Sequence, residues 1–76
     1  MSKGIEISNM EIVSKKLKEL RHEHNLSQSA VAGIIGVSRV VYNRYENNQR
    51  EIPIEFLCVL ADYYGVSMDY LVGREY

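Results

Sequence analysis

LSQSAVAGIIGVSRVVYNRYENNQR, residues 26–50, reads as two short helices joined by a tight turn. Ser27 is a good N-cap, because its hydroxyl can accept from an amide two or three residues on. Behind it Val31, Ala32 and Ile35 fall on one helical face. Gly36 supplies the backbone freedom to end that helix at once. Val37 can plug the corner, and Ser38 offers a cap for the helix that follows. In that second helix, 39–47, Tyr42 and Tyr45 are spaced i, i+3 and share a buried side. Arg39, Val40, Asn43 and Arg44 occupy the opposite side and stay free to touch another molecule. This is the layout of a helix-turn-helix whose second helix enters a DNA major groove.

The same stretch resembles the Cro and phage-repressor type of helix-turn-helix, the Xre family. The matching positions are Leu20-Arg21, Leu26-Ser27-Gln28, Ala32, Gly36-Val37-Ser38-Arg39 and Arg44-Tyr45-Glu46-Asn47. Ile52-Pro53 and Leu60-Ala61-Asp62-Tyr63-Tyr64-Gly65-Val66-Ser67 continue the match, which covers roughly residues 11–73. Asn48 departs from the pattern, since the family usually has Gly there, but Asn tolerates a left-handed backbone. The resemblance implies an all-α, compact five-helix phage-repressor-like domain that binds double-stranded DNA, usually as a homodimer on a palindrome. It also implies a salt bridge between Arg21 and Glu46.

A chain of 76 residues builds one small domain with a modest core. No apolar run is long enough to span a membrane, and the start lacks a signal-peptide pattern. A single cysteine, Cys58, excludes an internal disulfide framework and fits a reducing cytosol, so the expected location is cytoplasmic. The net charge of −1 argues against nucleic acid only if it is read without its distribution. Residues 1–50 carry eight Lys/Arg against five Asp/Glu, whereas residues 51–76 carry one against five. A basic half and an acidic half suit a protein that presents one face to phosphates.

Taken in order, residues 1–8 read as an N-terminal arm, disordered or else a short strand, before a domain over 9–73 and a tail over 74–76. Ser8 and Glu11 have capping-box spacing, so the first helix is predicted to start there and run to about His24. Val13, Leu17 and Leu20 give that helix a buried stripe, Lys15, Lys16 and Lys18 a solvated face, and Asn25 a left-handed end. His22 and His24 lie on different faces without acidic or Cys partners at ligand spacing, so no metal site is expected. After the loop 47–53, Pro53 is placed to open a helix over 54–64 at its first turn. Its core stripe is Ile54, Leu57, Leu60, Ala61 and Tyr64. Gly65 ends it, and Ser67 caps a short helix over 68–72 anchored by Leu71 and closed by Gly73.

Nothing in the chain pairs a nucleophile with a base, sets two carboxylates together or forms a phosphate-cradling glycine loop. Cys58, among apolar neighbours, reads as a packed thiol. Hence no enzyme, no cofactor and no small-molecule ligand are expected. For DNA the roles divide by chemistry. Arg39 and Arg44 offer forked donors to guanine, Asn43 an amide to adenine and Val40 a methyl group to thymine. Gln28, Ser38, Asn47 and Arg50 are assigned to the phosphate backbone. The alternative function is a protein-interaction module, antitoxin-like or an adaptor, that keeps the fold. A second apolar flank on the fourth helix, Phe56, Val59 and Tyr63, with Tyr70 nearby, is the candidate dimer contact.

Overall fold

The computed structural model describes the backbone of residues 3–74 and the side chains of residues 10–74. Within them the chain forms α1 (Lys3–Glu23), α2 (Gln28–Ile35), α3 (Arg39–Glu46), α4 (Ile54–Tyr64) and α5 (Met68–Leu71). This is the all-α, five-helix architecture expected from the sequence. α2 packs on α3 and α4, α1 on α3 and α5, and α5 on α4.

Serine caps set three of the four downstream helix starts. Ser27 Oγ accepts from Ala30 N, Ser38 Oγ from Val41 N and Ser67 Oγ from Tyr70 N, at 3.0, 3.2 and 2.9 Å. Each satisfies an amide that has no carbonyl partner in the first turn. Gly36, at φ +76°, reverses the chain after α2 and sends its own amide back to the last carbonyls of that helix. Asn25 and Asn48 take the left-handed conformation at φ 55° and 58°, which explains why Asn serves at the second position in place of glycine.

Leu17, Val31, Tyr42, Leu60 and Leu71 are the largest fully buried side chains, one from each helix. Each aliphatic member stabilises the fold by about 1.5–3 kcal/mol relative to exposure. Leu71 thereby holds α5, which is too short to persist alone. Leu20, Ala32, Ile35, Tyr45, Ile52, Leu57, Ala61 and Tyr64 complete the core, with Val13 partly buried against it.

Four sequence expectations are corrected. α1 begins at Lys3, so the Ser8–Glu11 spacing lies inside the helix and the expected arm is helical from its third residue. No proline interrupts this segment, and extending an existing helix avoids the cost of nucleation. Met1 and Ser2 of that arm, and Glu75 and Tyr76 of the expected tail, lie outside the described residues. Pro53 sits at the N-cap of α4 rather than in its first turn. Ile54 is 66% exposed, not core. It is the first residue of α4, with no preceding turn to cover it, and instead borders a groove of about 540 Å³ with Met10, Val13, Met68 and Val72. Finally, Cys58 is exposed, because it falls beside the buried stripe of Leu57, Leu60, Ala61 and Tyr64 rather than on it.

Candidate nucleic-acid interface

α3 is fixed from its buried side. Tyr42 and Tyr45 enter the core edge to face, with ring centroids 6.4 Å apart. Ser14 of α1, itself buried, donates its hydroxyl to the Tyr45 carbonyl at 2.8 Å. That carbonyl stands at the end of α3, where the Asn48 amide reaches it only at 3.5 Å. Sequence reasoning did not single out Ser14; its spacing one turn before Leu17 and Lys18 was the only signal, since it places a hydroxyl beside the core stripe.

Glu46 is the polar centre of the motif. Arg21 Nε donates to Glu46 Oε2 at 2.6 Å and Arg21 Nη2 to Oε1 at 3.1 Å, while Arg21 Nη1 donates to the Leu26 carbonyl at 3.0 Å. The carboxylate is wholly buried and the guanidinium is 13% exposed. Burial alone would raise the Glu46 pKa, but hydrogen bonds led by Arg21 outweigh it and hold the carboxyl below its ordinary value. The same bond raises the Arg21 pKa. The phenol oxygens of Tyr42 and Tyr64 are buried beside this pair without a hydrogen-bond partner among the described residues. Burial, reinforced by the Glu46 charge, pushes Tyr64 up to about 12, and burial followed by contact with the Glu46 carboxylate raises Tyr42 as well.

From Glu46 a line of amides runs outward to the solvent side of α3. Gln28 Nε2 donates to Glu46 Oε1 at 3.1 Å, Asn43 Nδ2 to Gln28 Oε1 at 3.2 Å and Asn47 Nδ2 to Asn43 Oδ1 at 3.0 Å. Three residues assigned singly to DNA are thus joined to one another and to the buried ion pair. The sequence held half of this: Asn43 and Asn47 are spaced i, i+4 on one helix, but the approach of Gln28 depends on how α2 crosses α3.

The remaining candidates stand apart from that line. Arg39, Val40 and Arg44 are exposed on α3, Ser38 is exposed at its cap and Arg50 in the loop beyond. Among the described residues none of these three arginines makes an ion pair. Lys15 and Lys18 are exposed on α1, whereas Lys16 lies over the Tyr70 ring at 4.2 Å. Val59 and Tyr63 are 42% and 50% exposed on α4, while Phe56 and Tyr70 pack partly against the core. The described residues hold no group of three or more His, Cys, Asp or Glu side chains able to take a metal. No described helix is long and apolar enough to cross a membrane.

Residues 17–71 match the model of a family described as helix-turn-helix. The chain is 36% identical over 59 residues to YobD, an uncharacterised HTH-type transcriptional regulator of Bacillus subtilis, covering 78% of this chain and 53% of that one. It is 39% identical over 60 residues to RstR, the cryptic phage CTXphi transcriptional repressor of Vibrio cholerae, covering 79% and 54%. It is 33% identical over 64 residues to the antitoxin PezA of Streptococcus pneumoniae, covering 84% and 40%. The chain therefore spans about half the length of the curated relatives it matches. No solved structure matches it significantly.

Proposed function

The chain belongs to the helix-turn-helix family of the Xre and phage-repressor type, and from that premise we propose that it is a sequence-specific DNA-binding regulator, a repressor reading a palindromic operator as a homodimer. The observation that carries this reading is the division of α3. Tyr42, Tyr45 and Glu46 seal one side into the core, while Arg39, Val40 and Arg44 face solvent with no ion pair to neutralise the arginines. Uncompensated guanidinium groups on an otherwise acidic protein suit an anionic partner, and their fork matches guanine O6 and N7. Val40 supplies an apolar contact for a thymine methyl, and Asn43 an amide for adenine. Gln28, Ser38, Asn47 and Arg50 hold the backbone on either side. Ser38 Oγ spends a lone pair on the Val41 amide and keeps its proton to donate to a phosphate.

Selection of bound duplexes from a random pool tests the whole reading. A recovered palindrome with half-sites about 34 Å apart, bound with an affinity that falls steeply with salt, is the expected result. Binding that is indifferent to salt and sequence would refute it.

One relative gives a second reading some support. PezA is named an antitoxin, so a protein partner is the alternative occupant of an exposed face. A module of that kind would show no salt-dependent affinity for duplex DNA, which separates the two readings.

A further inference from the structure

We propose that Glu46 sets the direction of the Asn43 amide through Gln28, making base preference at one position a property of the buried ion pair. This rests on the DNA-binding reading above. A primary amide has two ends of similar shape and opposite hydrogen-bonding sense, so its orientation is decided by its neighbours. An ionised carboxylate accepts and cannot donate. Glu46 is held ionised and immobile by two bonds from Arg21, at 2.6 and 3.1 Å. Its Oε1 therefore admits only the Nε2 end of Gln28, at 3.1 Å. That turns Gln28 Oε1 toward α3, where it in turn admits only the Nδ2 end of Asn43, at 3.2 Å. Asn43 Oδ1 is left to accept from Asn47 Nδ2 at 3.0 Å. Each choice forces the next.

The capacity that remains on Asn43 is the informative part. Nδ2 carries two protons and gives one to Gln28; Oδ1 has two lone pairs and uses one for Asn47. One donor and one acceptor are left over, in a fixed order. Adenine presents N7 as an acceptor and N6 as a donor in the major groove, the complement of that pair. An amide turned the other way would offer donor and acceptor in reverse order and meet adenine with like against like. Gln28 is accordingly a positioning residue for Asn43, beyond any bond its spare Nε2 proton makes to a phosphate. The device also stiffens the reading group in advance, since Asn43 does not have to be ordered when DNA arrives.

Quantitative binding to a panel of single-base operator variants tests this. Asn43→Ala first identifies the base pair that Asn43 reads. Gln28→Met then removes both amide ends while keeping the length of the side chain. The expected result is a fall of about tenfold in preference at the Asn43 position alone, over and above the even loss of affinity for mixed-sequence duplex that follows from removing the phosphate contact of Gln28. An even loss of affinity with that preference intact would leave Gln28 a phosphate contact only and overturn the relay. Asn47→Ala, at an exposed position, gives an independent arm should Gln28→Met fold poorly. It removes the donor to Asn43 Oδ1, and preference at the same base pair is expected to fall again; an unchanged preference counts against the proposal. Asn43→Ala that alters preference nowhere rejects the relay while leaving DNA binding through Arg39 and Arg44 intact. An unmutated protein that prefers no sequence rejects both.

Discussion

Arg21 and Glu46, from α1 and α3, form a forked pair in which Nε meets Oε2 at 2.6 Å and Nη2 meets Oε1 at 3.1 Å, with the carboxylate wholly buried. Burial makes such a pair costly to break from one side, because the survivor is left charged and unmatched. Glu46→Gln is therefore expected to lower stability by about 3 kcal/mol, read as a shifted midpoint in chemical denaturation. Since the folded carboxyl lies below its ordinary value of 4.5, its contribution is present above that pH and is lost as pH falls through the folded value. The mutant should lack this acid-dependent component. An equal loss of stability at low pH in both proteins would show that other carboxylates drive acid unfolding.

The two buried phenols give the opposite sign at alkaline pH. Tyr64 is pushed from 10 up to about 12 by burial and then by the nearby Glu46 charge, and Tyr42 is likewise raised by burial and then by its contact with the Glu46 carboxylate. The folded state thus keeps protons that the unfolded chain releases. The Tyr64 contribution is complete below pH 10 and is lost as pH rises through about 12, while that of Tyr42 has the same sign. Spectrophotometric titration should show a late phenolate component that moves to about pH 10 in denaturant. Simultaneous ionisation of every tyrosine in the folded protein would contradict the burial of these two.

Local chemistry made much of this fold legible. Ser27, Ser38 and Ser67 each stand just before an apolar face, and each caps the helix it introduces. Tyr42 and Tyr45 announced the buried side of α3 by spacing alone. Periodicity failed at Ile54 because a stripe does not record where the covering helices stop. It failed at Cys58 because apolar neighbours in sequence are not neighbours in space. Gln28, Asn43 and Asn47 were each legible as polar candidates for DNA contact, but their mutual bonds depend on the crossing of α2 over α3. No one-dimensional pattern carries that crossing.

Gly73 and Gly36 share a φ of +76° but differ in surroundings. A Cβ on Gly73 would stand 2.8 Å from Ile12 Cδ1 and 2.9 Å from Cγ2, whereas nothing lies within 4 Å of one on Gly36. Both alanine substitutions carry the left-handed backbone penalty of about 1 kcal/mol. Only Gly73→Ala also pushes α5 away from α1, so its total should reach about 2–3 kcal/mol. Thermal melts of the two variants compare them directly. Equal destabilisation would mean that Ile12 moves aside at no cost.

Arg39→Ala and Arg44→Ala should each weaken binding to the selected operator by about 1–3 kcal/mol and relax preference at one base position. Arg50→Ala should instead lower affinity evenly across sequences and reduce the salt slope by about one. Titrations of operator and scrambled duplex at several salt concentrations distinguish the two behaviours. Arginine variants on α3 that retain full discrimination would move the reading face elsewhere.

Self-association is expected to use the outer flank of α4. Val59 and Tyr63 lie i, i+4 on that helix and leave 42% and 50% of their surface in solvent, with exposed Cys58 next to them. Phe56, one turn earlier, and Tyr70 on α5 are partly covered by the core and can contribute only their rims. The flank lies in the acidic half of the chain and includes none of the arginines of α3, so pairing through it does not use the reading residues. A two-fold axis through it would repeat the same patch on each partner, as an isologous interface requires. Val59→Glu with Tyr63→Glu places like charges across that axis while leaving Leu57, Leu60, Ala61 and Tyr64 in the core. Sedimentation should find a dimer for the unmutated chain on operator DNA and a folded monomer for the double variant, with operator affinity reduced by at least tenfold. A double variant that still sediments as a dimer would exclude α4 as the seam, and a chain that remains monomeric on its operator would exclude the two-fold arrangement altogether.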